Sequence, residues 1–310
     1  MRRTRIKPHK DGTCFHCMCR TVNRAFLFED EQIREWIYQR IVWLADIYMV
    51  DLYSVTVLSN HYHIVCAMRL PEMDESDIRA RFERYEAGHP SRYRAWYPAL
   101  TTAWYRRLTD LSCFMKDLNQ SIAHHVNEQL GRGGHLWGDR FKNTIIGGKQ
   151  GLLACMTYVE LNPVRAGLVE KPSRYRFCSA GRYFSGGKAA AGVVIPPLFG
   201  MEGIPAGKRQ RAFKRFVDHA AMRDQGKADP LPMELVELED WLTRFDFAEF
   251  LELVLLRTGW LANSAVVGSR QFCEELIKKY GLQPFPKKPR PYQLTDWLYT
   301  AHQRAGPFLD

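Results

Sequence analysis

Long apolar runs are missing from this 310-residue sequence: none reaches the roughly 18 residues of a membrane span, which argues against a bilayer-spanning chain. Residues 1–10 are basic but carry no apolar stretch behind the charge, so they do not read as a secretory signal. The expectation is a cytoplasmic protein. Internal repeats and long low-complexity tracts are absent as well. Acidic residues are in short supply: 34 Asp and Glu stand against 44 Lys and Arg, a net charge of +10. Such a balance suits a polyanionic partner, most simply a nucleic acid. The eight cysteines are scattered, with no second pair at zinc-finger spacing, and read as reduced thiols. Cys14, His16 and Cys19 invite a zinc site, but strand alternation sends Cys17 and Cys19 to the opposite face from Cys14 and His16.

What is present supports a real core, with 46% hydrophobic and 13% aromatic residues. Residues 13–20 read as a strand behind a basic arm at 1–12. Ile33, Ile37, Ile41, Leu44 and Ile47 mark a helix over 29–49 with an acidic first turn. Leu52–Val57 is a second strand, and Ser59 with Asn60 makes a turn or bulge into a third that carries His61 and His63. The polar segment 71–102 interleaves Arg79, Arg81, Arg84 and Arg92 with Tyr85, Tyr93, Trp96 and Tyr97. That mixture suits a single strand of nucleic acid, or equally a packed helical excursion with snorkelling arginines. A long helix is expected from Thr102 to Leu130, then a strand near 140–146, then a helix from Lys149 to Asn162 that Pro163 stops. Residues 186–205 read as a linker. Helical segments follow at 235–258 and 264–280, the latter open to a helix-turn-helix-like reading, with a basic patch at 287–291.

Two sets of residues carry chemistry. His61 and His63 sit at i and i+2 of the third strand and therefore share a face, with Tyr62 on the other. Two neutral imidazoles side by side can chelate a divalent metal, or can simply be hydrogen-bonded histidines on a sheet. Tyr158 and Asn162, at i and i+4, share a face of the last core helix. Alone they read as a packing aromatic and a stop signal.

Together these residues resemble a known family. Ser59 to His63, then Gly134 to Lys142 with Trp137, Arg140 and Phe141, then Tyr158 to Leu168 with Asn162, Pro163, Arg165 and Gly167, resemble the REP-associated tyrosine transposases, bacterial single-tyrosine enzymes of the HUH superfamily. The resemblance spans about residues 12–185, and Arg20 with Asn23 resembles the family's first strand and turn. It implies an α+β fold: a ferredoxin-like or RRM-like antiparallel sheet with helices on one face, as the HUH transposase core at 1–185. A linker at 186–205 and a mainly helical extension at 206–310, with a DNA-binding role for the extension left open, would complete the chain. It also implies Tyr158 as nucleophile; His61, His63 and Asn162 as ligands of Mg²⁺ or Mn²⁺; and single-stranded DNA carrying a hairpin as substrate, with a homodimer open. Arg140, Lys142, Arg165 and Arg20 are the expected DNA contacts. The sequence departs from the family in Tyr62, where an aliphatic residue is usual, in the long 71–102 segment, and in more than a hundred residues beyond the core.

The implied reaction is metal-dependent cleavage and rejoining of a DNA strand through a 5′-phosphotyrosine. The competing reading is an RRM-like binding protein for structured nucleic acid without chemistry; a replication or relaxase-type initiator of the same superfamily is a third. No general base stands out: Glu160 is near Tyr158 in sequence but faces elsewhere, and reads as a solvated carboxylate. Trp137 reads as core.

Overall fold

Strand alternation organises the molecule. A computed structural model describes residues 8–88, 94–182, 192–196, 203–227, 265–280, 292–293 and 298–301. In it Thr13–Arg20 forms β1, Val50–Val57 β2, His61–Met68 β3 and Lys142–Ile146 β4. These four pair antiparallel in the order β2-β3-β1-β4, the expected ferredoxin-like sheet. Met18 lies opposite His63 and Arg20 opposite His61 on β3, while Met18 also faces Lys142 on β4. Because alternate residues point to opposite sides, one face carries Ser54, Thr56, His16, Met18, Arg20, His61, His63, Lys142 and Thr144. The other carries Phe15, Cys17, Cys19, Val55, Val57, Tyr62, Ile64 and Ile145.

The apolar face is covered by α1, Glu31–Ile47, and α4, Leu111–Gln129. The Asp30 carboxylate accepts from the Gln32 amide at 2.6 Å and starts α1, whose Ile33, Ile37, Ile41 and Leu44 recur at helical spacing and are buried. Tyr62 extends through this layer and donates its hydroxyl to Asn119 Oδ1 on α4 at 2.7 Å. The single helix expected over 102–130 is two: α3, Thr101–Leu108, and α4. Asp110 divides them, its carboxylate accepting from the Ser112 and Cys113 amides at 2.6 and 3.0 Å as the N-cap of α4.

The segment 71–102 contains α2, Glu75–Ala87. Arg79 pairs with Glu83, Arg84 with Asp46, and Arg81 donates to the Ile47 carbonyl at the end of α1. Phe82 lies beneath Trp96 and Trp104. These contacts fit the packed excursion, with cations placed at the negative end of α1; Arg92 and Tyr93 lie outside the described residues.

The polar face is covered by α5, Gly148–Arg165, so the sheet has a helical layer on each side. Thr56 Oγ1 donates to the Val159 carbonyl at 2.9 Å. This bond explains why the helix runs through Pro163 rather than stopping at Asn162. Proline has no amide hydrogen for the carbonyl four residues back, and that carbonyl belongs to Val159. α5 ends instead at Ala166, where Gly167 takes φ +70° and donates to Val164 O while Leu168 donates to Pro163 O. The Asn-Pro-Val-Arg-Ala-Gly stretch is thus a Schellman cap.

Beyond the core, Ser179–Arg182 is a short helix α6, and Val193 bridges to Leu52 on β2, so residues 193–196 pack where a linker was expected. α7, Ala206–Asp224, packs on α5. Val266–Gly268 forms β5 parallel to β4, followed by α8, Arg270–Tyr280, and by β6, Tyr292–Gln293, and β7, Tyr299–Ala301. The full order is β2-β3-β1-β4-β5-β7-β6. The helix expected from 264 therefore begins at 270, and a sheet strand stands where a helix-turn-helix-like pair was considered. Phe272 of α8 wedges against Gly147, the N-cap of α5, where any Cβ would meet the ring at 2.2 Å. Segments 235–258 and 287–291 lie outside the described residues. No described helix is long and apolar enough to cross a membrane.

Candidate active site

The β1–β3 register places His16 diagonally from His63 on the polar face. Their rings stack at 5.1 Å, and His16 Nε2 and His63 Nδ1 share one hydrogen bond of 2.8 Å. The neighbouring His61 is held differently. Its Nδ1 is 2.6 Å from Asn60 Oδ1, an oxygen that only accepts, so the imidazole proton sits on Nδ1. The lone pair of His61 is then on Nε2. When His63 donates to His16, its own lone pair is likewise on Nε2.

Both imidazoles stay neutral. Burial, with the nearby Arg20 charge, pushes His61 down to about 3. Burial, then His61, His16 and Arg20, holds His63 well below the ordinary imidazole range. Neutral imidazole is the form that binds a metal.

α5 brings Tyr158 over this cluster. Its ring centroid lies 5.8 Å from that of His63 and 5.9 Å from that of His16, edge-on to both. The Arg165 guanidinium is 5.8 Å from the Tyr158 ring centroid. Burial raises the Tyr158 pKa, opposed by Arg165 and Arg20. The hydroxyl is therefore protonated at neutral pH, with two cations placed to stabilise a phenolate. One turn on, Asn162 donates its Nδ2 to the Tyr158 carbonyl at 2.8 Å, a bond that leaves its Oδ1 unused.

The expected residues thus divide. His61 and His63 share the polar face with their rings 5.0 Å apart, Tyr158 stands edge-on to His63, and Asn162 follows Tyr158 one turn along α5. Arg20 projects from the same face opposite His61 and acts electrostatically on His61, His63 and Tyr158. Arg165 reaches Tyr158 while paired at 3.3 Å with Asp224 of α7, so its charge is shared. Lys142 is exposed at the start of β4 with the parity of His16, and Arg140 is exposed in the preceding turn. Trp137 is core: its indole donates to the Asn119 carbonyl at 2.9 Å and its ring meets Phe28 and Tyr62.

Two residues escaped the sequence. In the sequence His16 stands out only beside cysteines; none of the eight cysteines is in a disulfide, and His16 pairs with His63 instead. Its signal was strand parity, but only the register tells which histidine it meets. Glu160 does face away from Tyr158, yet it is no solvated carboxylate. It is fully buried, accepting from Ser54 Oγ at 2.5 Å and the Ala180 amide at 3.0 Å. Burial raises its pKa to about 7 despite those bonds.

Among the described residues no three His, Cys, Asp or Glu side chains converge as a metal cluster. A metal here would rest on two imidazole nitrogens and the Asn162 amide oxygen. That donor set fits: the tautomer of His61 is fixed, Asn162 turns an oxygen free, and few ligands leave positions open for phosphate and water.

No family model matches the chain, and no curated protein matches it. Among solved structures, one described as "Structure of the REP associates tyrosine transposase bound to a REP hairpin" is 18% identical and has a TM-score of 0.39. The match covers 60% of this chain and 85% of that one. A likeness of this size does not by itself establish a shared fold or activity.

Proposed function

We propose that this chain is a metal-dependent transposase-like endonuclease that cuts and rejoins single-stranded DNA beside a hairpin, with Tyr158 as nucleophile. One observation carries the reading: α5 sets Tyr158 edge-on over His63, with Asn162 one turn away. Packing alone does not require a tyrosine edge-on to a buried histidine of an i, i+2 pair, with Arg20 and Arg165 acting on that tyrosine.

Phosphodiesters resist attack because their oxygens are negative. A divalent ion such as Mg²⁺ or Mn²⁺, when held by His61, His63 and Asn162, supplies Lewis-acid polarisation of a non-bridging oxygen. Arg20 and Arg165 add positive charge beside Tyr158, where the phosphate must lie. Both favour loss of the phenol proton. The rigid ring then presents its oxygen in line, an orientational contribution. Attack at phosphorus forms the Tyr158 O–P bond and breaks the P–O3′ bond. The phenol proton is lost and the 3′-oxygen gains one, so the step is proton-neutral and leaves a 5′-phosphotyrosine with a 3′-hydroxyl. Because the ester is conserved, a 3′-hydroxyl can reverse the step and rejoin strands. All these residues come from one chain, so the reading needs no second copy.

One observation favours the alternative, an RRM-like binding protein without chemistry. His63 Nδ1 already has a partner in His16, as a purely structural histidine would. Incubation with labelled single-stranded hairpin DNA and Mg²⁺ or Mn²⁺ separates the two. A denaturation-resistant protein–DNA adduct, absent in Tyr158→Phe and abolished by chelator, is expected. Tight binding with no adduct under either metal would overturn the enzymatic reading in favour of the binding protein.

A further inference from the structure

Between β1 and α1 the chain makes a turn whose side chains the proposed chemistry leaves unused. Asn23 and Arg24 both have left-handed backbones, φ +53° and +57°, which non-glycine residues seldom adopt. The turn is held in that shape from several sides. Thr21 Oγ1 donates to the Ala25 carbonyl at 2.7 Å, and the Val22 amide donates to Leu136 O at 2.8 Å. Phe28 is buried, with its amide on Ser59 O at 2.8 Å. Asn60 Nδ2 donates to the Arg24 carbonyl at 2.8 Å while its Oδ1 holds His61 Nδ1 at 2.6 Å. One side chain thus ties the turn to a candidate metal ligand.

On this fixed base Phe26 stands out, 62% exposed, the most exposed large apolar side chain among the described residues. It is two residues beyond Arg24, so its Cα lies within about 7 Å of the backbone that Asn60 anchors. Arg24 is exposed beside it, and Arg20 stands at the end of β1 opposite His61. An exposed phenyl ring on a turn that Asn60 ties to His61, with an exposed arginine two residues before it, has the makings of a single-strand platform. Bases stack on the ring and phosphates pair with the cations.

We infer that Phe26 stacks on an unpaired nucleobase of the DNA strand next to the cleaved phosphate, with Arg24 on the backbone beside it. The inference rests on the proposed function for its ligand, a single strand, but not on the occurrence of chemistry.

The test uses the full chain, in chelator so that no cleavage occurs. Probes are single-stranded hairpin oligonucleotides with flanks in which one abasic nucleotide is moved position by position. Phe26→Ala should weaken binding of the intact strand about fivefold or more, the lower range of base–aromatic stacking. At one flank position the abasic probe should weaken wild type equally, and Phe26→Ala should lose nothing further there. Phe26→Trp should keep wild-type affinity, with its fluorescence quenched on binding; this variant reports stacking even if the alanine variant folds poorly. Unchanged affinity in Phe26→Ala, a loss that persists on every abasic probe, or no quenching in Phe26→Trp would each overturn the platform. Strand binding that depends on Phe26 here, together with no Tyr158 adduct in the separate assay with Mg²⁺ or Mn²⁺, would support the platform while overturning the enzyme.

Discussion

The two faces of one sheet are built from the same strands yet serve opposite ends. On the face under α1 and α4, Phe15, Cys17, Tyr62 and Ile64 are buried, and the Tyr62 hydroxyl is paired with Asn119. On the face under α5, most of the alternating positions are polar, with three histidines, an arginine, a lysine, a serine and two threonines; His16 bonds His63, and Ser54 and Thr56 bond α5. The first face provides transfer free energy and holds the second in place. The second spends some of that stability on buried polar groups, which only hydrogen bonds make tolerable. A polar face under a helix is therefore where chemistry is expected, and neighbouring residues of β3 fall on either side of the divide.

Tyr62 and His63 sharpen the contrast most. Tyr62→Ala should cost about 3–5 kcal/mol in a urea titration, the range for emptying an aromatic core site. His63→Ala should leave the midpoint far less altered and abolish metal binding; comparable destabilisation by both would erase the distinction. Glu160 tests the cost of burying polarity. Its pKa of about 7 lies above the ordinary 4.5, so between these values the folded chain binds more protons than the unfolded one. The sign follows: this contribution to stability is full below pH 4.5 and is lost as pH rises towards 7, by about 3 kcal/mol in all. Glu160→Gln should flatten that part of the stability–pH curve, measured by thermal melts from pH 4 to 8. An unchanged slope would place the proton elsewhere.

His16 is next. As the partner that orients His63, its replacement by alanine should weaken Mn²⁺ binding about 10- to 100-fold, and glutamine should recover part of it. A variant that binds Mn²⁺ like wild type would reduce His16 to packing. The smallest effect belongs to Thr56, whose hydroxyl replaces the amide that Pro163 lacks. Thr56→Val should cost about 1 kcal/mol by urea titration, with adduct formation retained but slower.

The sequence showed what local period can show. The strand carrying His61 and His63, the helix capped by Asp30, and the shared face of Tyr158 and Asn162 follow from spacings of two and three to four residues. Contacts that join distant segments were not legible. His16 meets His63 across 47 residues, and Ser54 meets Glu160 across 106, so neither could be read without the register. The Pro163 stop failed for the same reason: a donor from β2, far off in sequence, fills the gap that proline leaves. The division of the 102–130 helix was nearer to hand, since Asp110 is a good N-cap, but an unbroken apolar stripe concealed it.

Everything distinctive in this account depends on the polar face being a metal–phosphate site rather than a cluster of satisfied histidines. Electron paramagnetic resonance of Mn²⁺ titrated into the full chain, with and without uncleavable hairpin DNA, addresses that directly. The account predicts one bound Mn²⁺ per chain, lost in His61→Ala and in His63→Ala and weakened in Asn162→Ala. No bound Mn²⁺ in either condition, or binding that survives both histidine substitutions, would contradict it.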